Sequence, residues 1–141
     1  YNVVAPGKQP RVTLTPTLAL IYNEPWMAFS VQGGDTQEQN LLQFFLNIVE
    51  FGMSVQESVE AANLTSYQML SSFGDHKVEP GRLTLTNEVP SWVRKDLERM
   101  GYDLDFVERN SGPITAIARD LEHDTFWGAA SNHGEDYGIG W

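Results

Sequence analysis

Gly33 and Gly34 stand between a run of large apolar residues, Trp26 to Val31, and a pair of carboxylates, Asp35 and Glu38. Two adjacent residues without Cβ permit positive φ and let another molecule approach the main chain closely. Asp35 and Glu38 have the D-x-x-E spacing of a capping pair, so the sequence predicts a helix from about Thr36. The arrangement is strand, bare backbone, helix N-terminus. Unpaired N–H groups at the positive end of a helix dipole suit an oxygen that gains negative charge. An oxyanion hole for acyl transfer has that requirement. For an isolated Gly-Gly pair, a tight turn with no ligand carries more weight, so the neighbours decide. Thr13, Thr15 and Thr17 add hydroxyls on a segment that a hairpin would bring beside the glycine amides. A nucleophile paired with a base is what this half-site lacks.

Other chemistry-bearing residues are sparser. His76, His123 and His133 show no i, i+4 spacing and no acidic helix face beside them, so no metal site is expected. Asp103 and Asp105 have the spacing for a divalent cation, but they read better as the solvent side of a strand whose inner side is Leu104 and Phe106. Asn63-Leu64-Thr65 is a glycosylation sequon by pattern only. Ala5-Pro6-Gly7-Lys8 lacks the spacing of a phosphate loop. No cysteine is present, which removes disulfides, thiolate metal sites and a thiol nucleophile.

The elements that would position the glycines come next. Tyr1 to Pro10 reads as an extended lead-in. Val12 to Thr15 alternates and meets Pro16, which keeps the preceding residue extended. Thr17 to Tyr22, a turn at Asn23-Glu24-Pro25, and Trp26 to Val31 form a predicted hairpin. The helix from Thr36 to Phe51 has apolar residues at 41, 42, 44, 45, 48, 49 and 51, too many for one stripe, so it is expected to be buried on most sides. Gly52 ends it. Ser54 and Glu57 make a capping box for a second helix with Val55, Val59 and Ala62 on its apolar side. Residues 63 to 73 show no clean period. After Pro80-Gly81, Arg82 to Thr86 alternates as a strand. Pro90 to Met100 is an amphipathic helix presenting Val93, Leu97 and Met100, stopped by Gly101. Leu104 to Val107 is a strand, and Ile114 to Asp120 with Thr125 to Ala130 a second hairpin. The aromatic ending at Trp141 suggests a docked tail.

A length of 141 residues with 41% hydrophobic content fits one domain, 1–141, with its own core. The net charge is −10, and residues 1–34 contribute +1 of it, so the acidic character lies in the rest. Without a basic stripe, nucleic acid is not an expected partner. No apolar run reaches the length of a membrane span, and no signal segment opens the residues shown. The compartment stays open between cytoplasm and periplasm. The opening at Tyr1, without Met, reads as a processed chain or a fragment.

Several motifs taken together resemble one family. Pro10 to Thr17, then Gly33-Gly34-Asp35, then Leu46 to Glu57, are similar to the C-terminal part of the gamma-glutamyltranspeptidase small subunit. Gly128-Ala129-Ala130 and the closing Tyr137 to Trp141 are similar to the family's ending. The resemblance implies an α+β chain forming part of an N-terminal-nucleophile hydrolase, an αββα sandwich of antiparallel strands and flanking helices. It implies a self-cutting precursor whose new N-terminal threonine, upstream of this chain, attacks with its own α-amine as base. It assigns the oxyanion amides to Gly33 and Gly34, and substrate contacts to Thr13, Val12 and Asp35. The implied partners are the remainder of the precursor (large subunit and N-terminal part of the small subunit) and a small-molecule amide or gamma-glutamyl substrate. No cofactor is implied, and homo-oligomerisation is left open.

The departures point away from strict gamma-glutamyl specificity. Typical members carry two serines, which contact the glutamyl α-carboxylate, where this chain has Val12 and Thr13. They follow the glycines with Ser-Arg, where Asp35-Thr36 stand here. Asp-Pro-Arg after Gly-Ala-Ala is replaced by Ser131-Asn132-His133. A divergent acylase-like branch fits these changes. The competing reading is a non-catalytic interaction domain that kept the fold and lost the site.

Overall fold

A computed structural model describes residues 3–10, 12–110 and 112–133. The expectation of a docked tail ending at Trp141, and the family-like ending Tyr137 to Trp141, lie outside them.

The alternation of Met27, Phe29 and Val31 along one strand gives the chain its main buried face. β1 (Thr17–Ile21) and β2 (Glu24–Val31) form the expected hairpin, with a bulge between Ala19 and Leu20. The turn falls at Tyr22-Asn23, both at positive φ (50° and 68°), as a two-residue type I′ connection requires. Glu24 and Pro25 therefore belong to β2, not to the turn as the sequence suggests. β6 (Ile114–Asp120) pairs antiparallel with β2, and β7 (Thr125–Ala130) with β6, giving the order β1-β2-β6-β7. The tight β6–β7 connection is held by Asp120, whose carboxylate accepts from the N–H groups of Glu122 and His123 and pairs with the His123 ring. These bonds, above all those from His123, hold its pKa down at about 2.

Against the Met27–Phe29–Val31 face pack α1 (Gln37–Val49) and α2 (Val55–Glu60). Phe44 of α1 lies with its ring centroid 5.1 Å from that of Phe29, and Phe45 stacks on Phe29 at 5.9 Å. Small residues on β6 and β7 (Ala116, Ala118 and Ala129) leave room for the helices. α2 carries the expected capping box: Ser54 Oγ accepts from the Glu57 N–H, and Glu57 Oε2 accepts from the Ser54 N–H. These bonds lower the Glu57 pKa.

α1 is less enclosed than its apolar count suggests. Its buried face is Gln37, Asn40, Leu41 and Phe44, while Leu42, Leu46 and Val49 are exposed. The opposite face of the four-stranded sheet is also apolar and uncovered among the described residues. Leu18, Leu20, Ile117 and Phe126 alternate with the buried positions, and each is more than half exposed.

β3 (Leu64–Ser66), β4 (Arg82–Thr86) and β5 (Asp103–Val107) make a second sheet, ordered β3-β4-β5. One pair in this sheet is not antiparallel, because β4 and β5 run parallel. Parallel neighbours need a crossover, and α3 (Ser91–Arg99) supplies it, ending where Gly101 takes φ 91°. Val93 and Leu97 are half-buried, whereas Met100 is exposed. Side chains on α1 join the two sheets. Gln39 bonds both main-chain groups of Ser66, and Gln43 both main-chain groups of Leu64.

Candidate active site

The Gly33-Gly34 turn leaves the end of β2 and enters α1, and a cavity of about 740 Å³ opens beside it. Val12 and Thr13 form one side of this cavity. Gly34, Asp35 and Thr36 form another, and the segment from Tyr67 to Phe73 a third. Four of the five residues singled out from the sequence therefore share one cavity, and Gly33 is not among the residues that line it.

Residues 12–16 join no sheet, since β1 begins only at Thr17. They keep the period of a strand, with Thr13 and Thr15 half-buried and Val12, Leu14 and Pro16 exposed. Pro16 has no N–H to give a ladder, which accounts for the late start of β1. The hydroxyl that reaches the glycine turn is that of Thr15. Its Oγ1 donates to Gln37 Oε1 at 2.8 Å, and Gln37 Nε2 donates to the carbonyl of Gly33.

The two glycines differ in what makes them glycine. Gly33 has φ 153°, and a Cβ there would meet Thr36 Oγ1 at 2.8 Å. At Gly34 the constraint is a neighbour, because a Cβ would lie 2.5 Å from Cε2 of Phe73. Among the described residues neither N–H has a main-chain partner. The carbonyl of Gly34 accepts from the Gln37 N–H at 3.3 Å.

Asp35 does not cap α1. The N-cap position is Thr36, with helical φ and ψ and no side-chain cap bond. Asp35 Oδ2 instead accepts from the Ser72 N–H at 2.6 Å and the Ser71 hydroxyl at 3.2 Å. The predicted D-x-x-E cap is overridden because the 71–73 segment offers the carboxylate two other donors. That segment is fixed further by the Ser71 N–H on the Lys77 carbonyl and the Ser71 carbonyl on His76 Nδ1. Asp35 thus holds Phe73 over Gly34.

At the far end of the cavity Arg82 is already engaged. Its guanidinium pairs with Glu79, meets Asp105 at 2.8 Å and lies 4.5 Å from the centroid of the Tyr67 ring. Those carboxylates push its pKa further up. Asp105 is thereby the partner of Arg82 on the face of β5. Phe106 is partly exposed under the Arg94 guanidinium, so it is not the inner residue that alternation suggests.

Gln37 and Phe73 are the two contributors that sequence reasoning missed. Gln37 carries a faint signal, a polar residue on the face of α1 shared with Leu41 and Phe44. Phe73 carries none, since it lies in the stretch without period.

A family model described as gamma-glutamyltranspeptidase matches residues 1–141. The glutathione hydrolase proenzyme of Bacillus subtilis subsp. natto is 29% identical over 139 residues, covering 99% of this chain and 22% of that protein. The acylase ACY 1 proenzyme of Pseudomonas sp. (strain SE83) is 28% identical over 115 residues, covering 82% of this chain and 18% of that protein. A solved gamma-glutamyltranspeptidase from Pseudomonas nitroreducens, in complex with L-DON, has a TM-score of 0.78 at 20% identity. It covers 99% of this chain and 68% of that one, a likeness of fold. The chain spans about a fifth of the length of the curated relatives it matches.

Proposed function

The chain belongs to the gamma-glutamyltranspeptidase family, and on that premise we propose that it is the C-terminal segment of an amide-cleaving or acyl-transferring enzyme. Its α+β arrangement is that of the corresponding region of these N-terminal-nucleophile hydrolases. The nucleophile is a threonine in another part of the protein, freed by cleavage of the precursor and using its own α-amine as base. This segment contributes the N–H groups of Gly33 and Gly34 to the oxyanion hole and the Thr13 hydroxyl to the substrate pocket. One observation carries the reading: a glycine at the N-terminus of α1 lines the same cavity as Thr13 and Val12. The exposed apolar faces of the sheet and of α1 are where the remainder of the precursor packs. Their extent supports that partnership, as burial of such side chains is worth about 1.5–3 kcal/mol each.

The purified 141-residue chain is expected to release nothing from a gamma-glutamyl anilide, while the full-length protein, matured by self-cleavage, turns over an acyl anilide. Activity in the isolated segment would overturn the assignment of the nucleophile. A full-length protein that neither cuts itself nor releases anilide from any acyl donor would leave the interaction-domain reading standing.

The specificity follows from Val12. A glutamyl α-carboxylate needs charge-assisted hydrogen bonds, each contributing about 1.5–3 kcal/mol, and the Val12 side chain offers none. Repulsion from Asp35 is the weaker part of the case, because its carboxylate is occupied by Ser71 and Ser72. The natural donor is therefore an acyl group other than gamma-glutamyl, in line with the acylase relative. Val12→Ser in the full-length enzyme should raise kcat/KM for gamma-glutamyl anilide about tenfold or more. An unchanged value, or a wild type that already prefers gamma-glutamyl donors, would remove Val12 as the determinant.

A further inference from the structure

We infer that Gln37 is a positioning residue that fixes the Gly33–Gly34 peptide, so that the Gly34 N–H faces the cavity. The inference rests on the oxyanion reading above and adds the group that makes the donor point one way.

The Gly33 carbonyl and the Gly34 N–H belong to one peptide unit. A trans peptide is planar, so these two groups point in opposite directions, and no cis peptide occurs among the described residues. Gln37 Nε2 holds the carbonyl of this unit. The N–H on the other edge consequently points away from the Gln37 carboxamide, and Gly34 is the member of the pair that lines the cavity.

The peptide needs such a lock. It is flanked by glycines on both sides, so no Cβ resists rotation of the unit about the two bonds that join it to the chain. Only hydrogen bonds choose between an N–H facing the cavity and a carbonyl facing it. A carbonyl there would repel a developing oxyanion, so the choice decides whether the site works.

The carboxamide of Gln37 is itself held in one orientation. Its Oε1 accepts from Thr15 Oγ1 at 2.8 Å, which leaves Nε2 as the end that meets the Gly33 carbonyl. An inverted amide would set oxygen against oxygen. The side chain is 5% exposed, so water does not compete for these bonds. Its main-chain N–H also donates to the Gly34 carbonyl at 3.3 Å. One residue thus holds both carbonyls of the Gly-Gly pair. Through Thr15 it also ties them to the segment that carries Thr13 and Val12.

The test uses the full-length enzyme with four variants: Gln37→Glu, Gln37→Leu, Thr15→Val and Gly34→Pro. Glutamate is nearly isosteric with glutamine but has no N–H to offer the Gly33 carbonyl. Each Gln37 variant should lower kcat about ten- to a hundredfold, with KM changed less than about threefold, the pattern of a contact made only in the transition state. The affinity of a boronic acid analogue of the acyl group, whose adduct is tetrahedral, should fall by the same factor as kcat. Thr15→Val should move both quantities the same way by a smaller factor. It also supplies the reading if the Gln37 variants do not fold. A kcat drop without loss of boronate affinity, or a KM rise at constant kcat, would overturn the positioning role. If Gly34→Pro abolishes turnover while the Gln37 and Thr15 variants remain fully active, this inference falls and the oxyanion assignment survives. If Gly34→Pro is itself fully active, both fall.

Discussion

Gly34→Pro in the full-length enzyme is expected to lower kcat by about 10²–10³-fold, the usual cost of losing one oxyanion donor. Proline has no N–H, so the substitution deletes the proposed donor outright. It also adds ring atoms where Phe73 already lies close to the Gly34 backbone. Gly34→Ala separates the two effects, because it keeps the N–H and adds only the Cβ. That Cβ would come 2.5 Å from Cε2 of Phe73, a side chain 58% exposed and able to swing aside. Alanine should therefore disturb KM through the displaced ring and leave most of kcat. Equal losses of kcat in the two variants would assign the effect to crowding by Phe73 and not to the amide.

The second large effect concerns stability. Phe44→Ala should destabilise the protein by about 3–5 kcal/mol, the range for truncating a buried phenylalanine. The ring is 1% exposed and packs on Phe29, which lies on the strand leading into the glycine turn. Ser58 Oγ donates to the Phe44 carbonyl at 2.7 Å, so the same residue also joins α1 to α2. The expected result is a lower urea midpoint for the full-length enzyme, with kcat per folded molecule close to that of the wild type. A shift worth less than about 1 kcal/mol would mean that the site collapses around the missing ring or that this cluster is not the core.

The sequence was most readable where one local rule acted without competition. A dense apolar run marked β2, alternation marked β4, the Ser54–Glu57 spacing marked the start of α2, and Gly101 marked the end of α3. The α+β class came from the family resemblance, and the solved relative's fold agrees with it. The misreadings arose where distant groups intervened. Asp35 had the spacing of a cap but met donors from Ser71 and Ser72, which no local pattern announces. No pairing direction was read for β4 and β5, since short apolar strands read alike in either direction and their parallel pairing depends on the path of α3. The apolar count of α1 implied burial on most sides, yet this chain covers only one face of it. At the candidate site Gly34 and Thr13 were singled out by residue type, Val12 and Asp35 through the family resemblance, and the four line one cavity. Gln37 was not singled out, because a buried glutamine acquires its meaning from a hydroxyl 22 positions earlier.

The pairing of β2 with β6 bears on how such a chain comes to be made. Val31 sits opposite Ile114, so the two central strands of the sheet are separated by about 80 residues that include α1, α2, α3 and the whole second sheet. Closing a loop of that length costs about 2 kcal/mol more than closing one of ten residues, and pairings of this kind are slow to form. A ribosome delivers the β1–β2 hairpin, the glycine turn and the 67–77 segment well before β6 and β7. Until β6 and β7 emerge, β2 has an open edge and the helices have half a floor. The walls of the cavity are thus synthesised well before the sheet beneath them can be completed. A stop codon just ahead of Ile114 would yield nearly all the residues of the site and only half of its foundation.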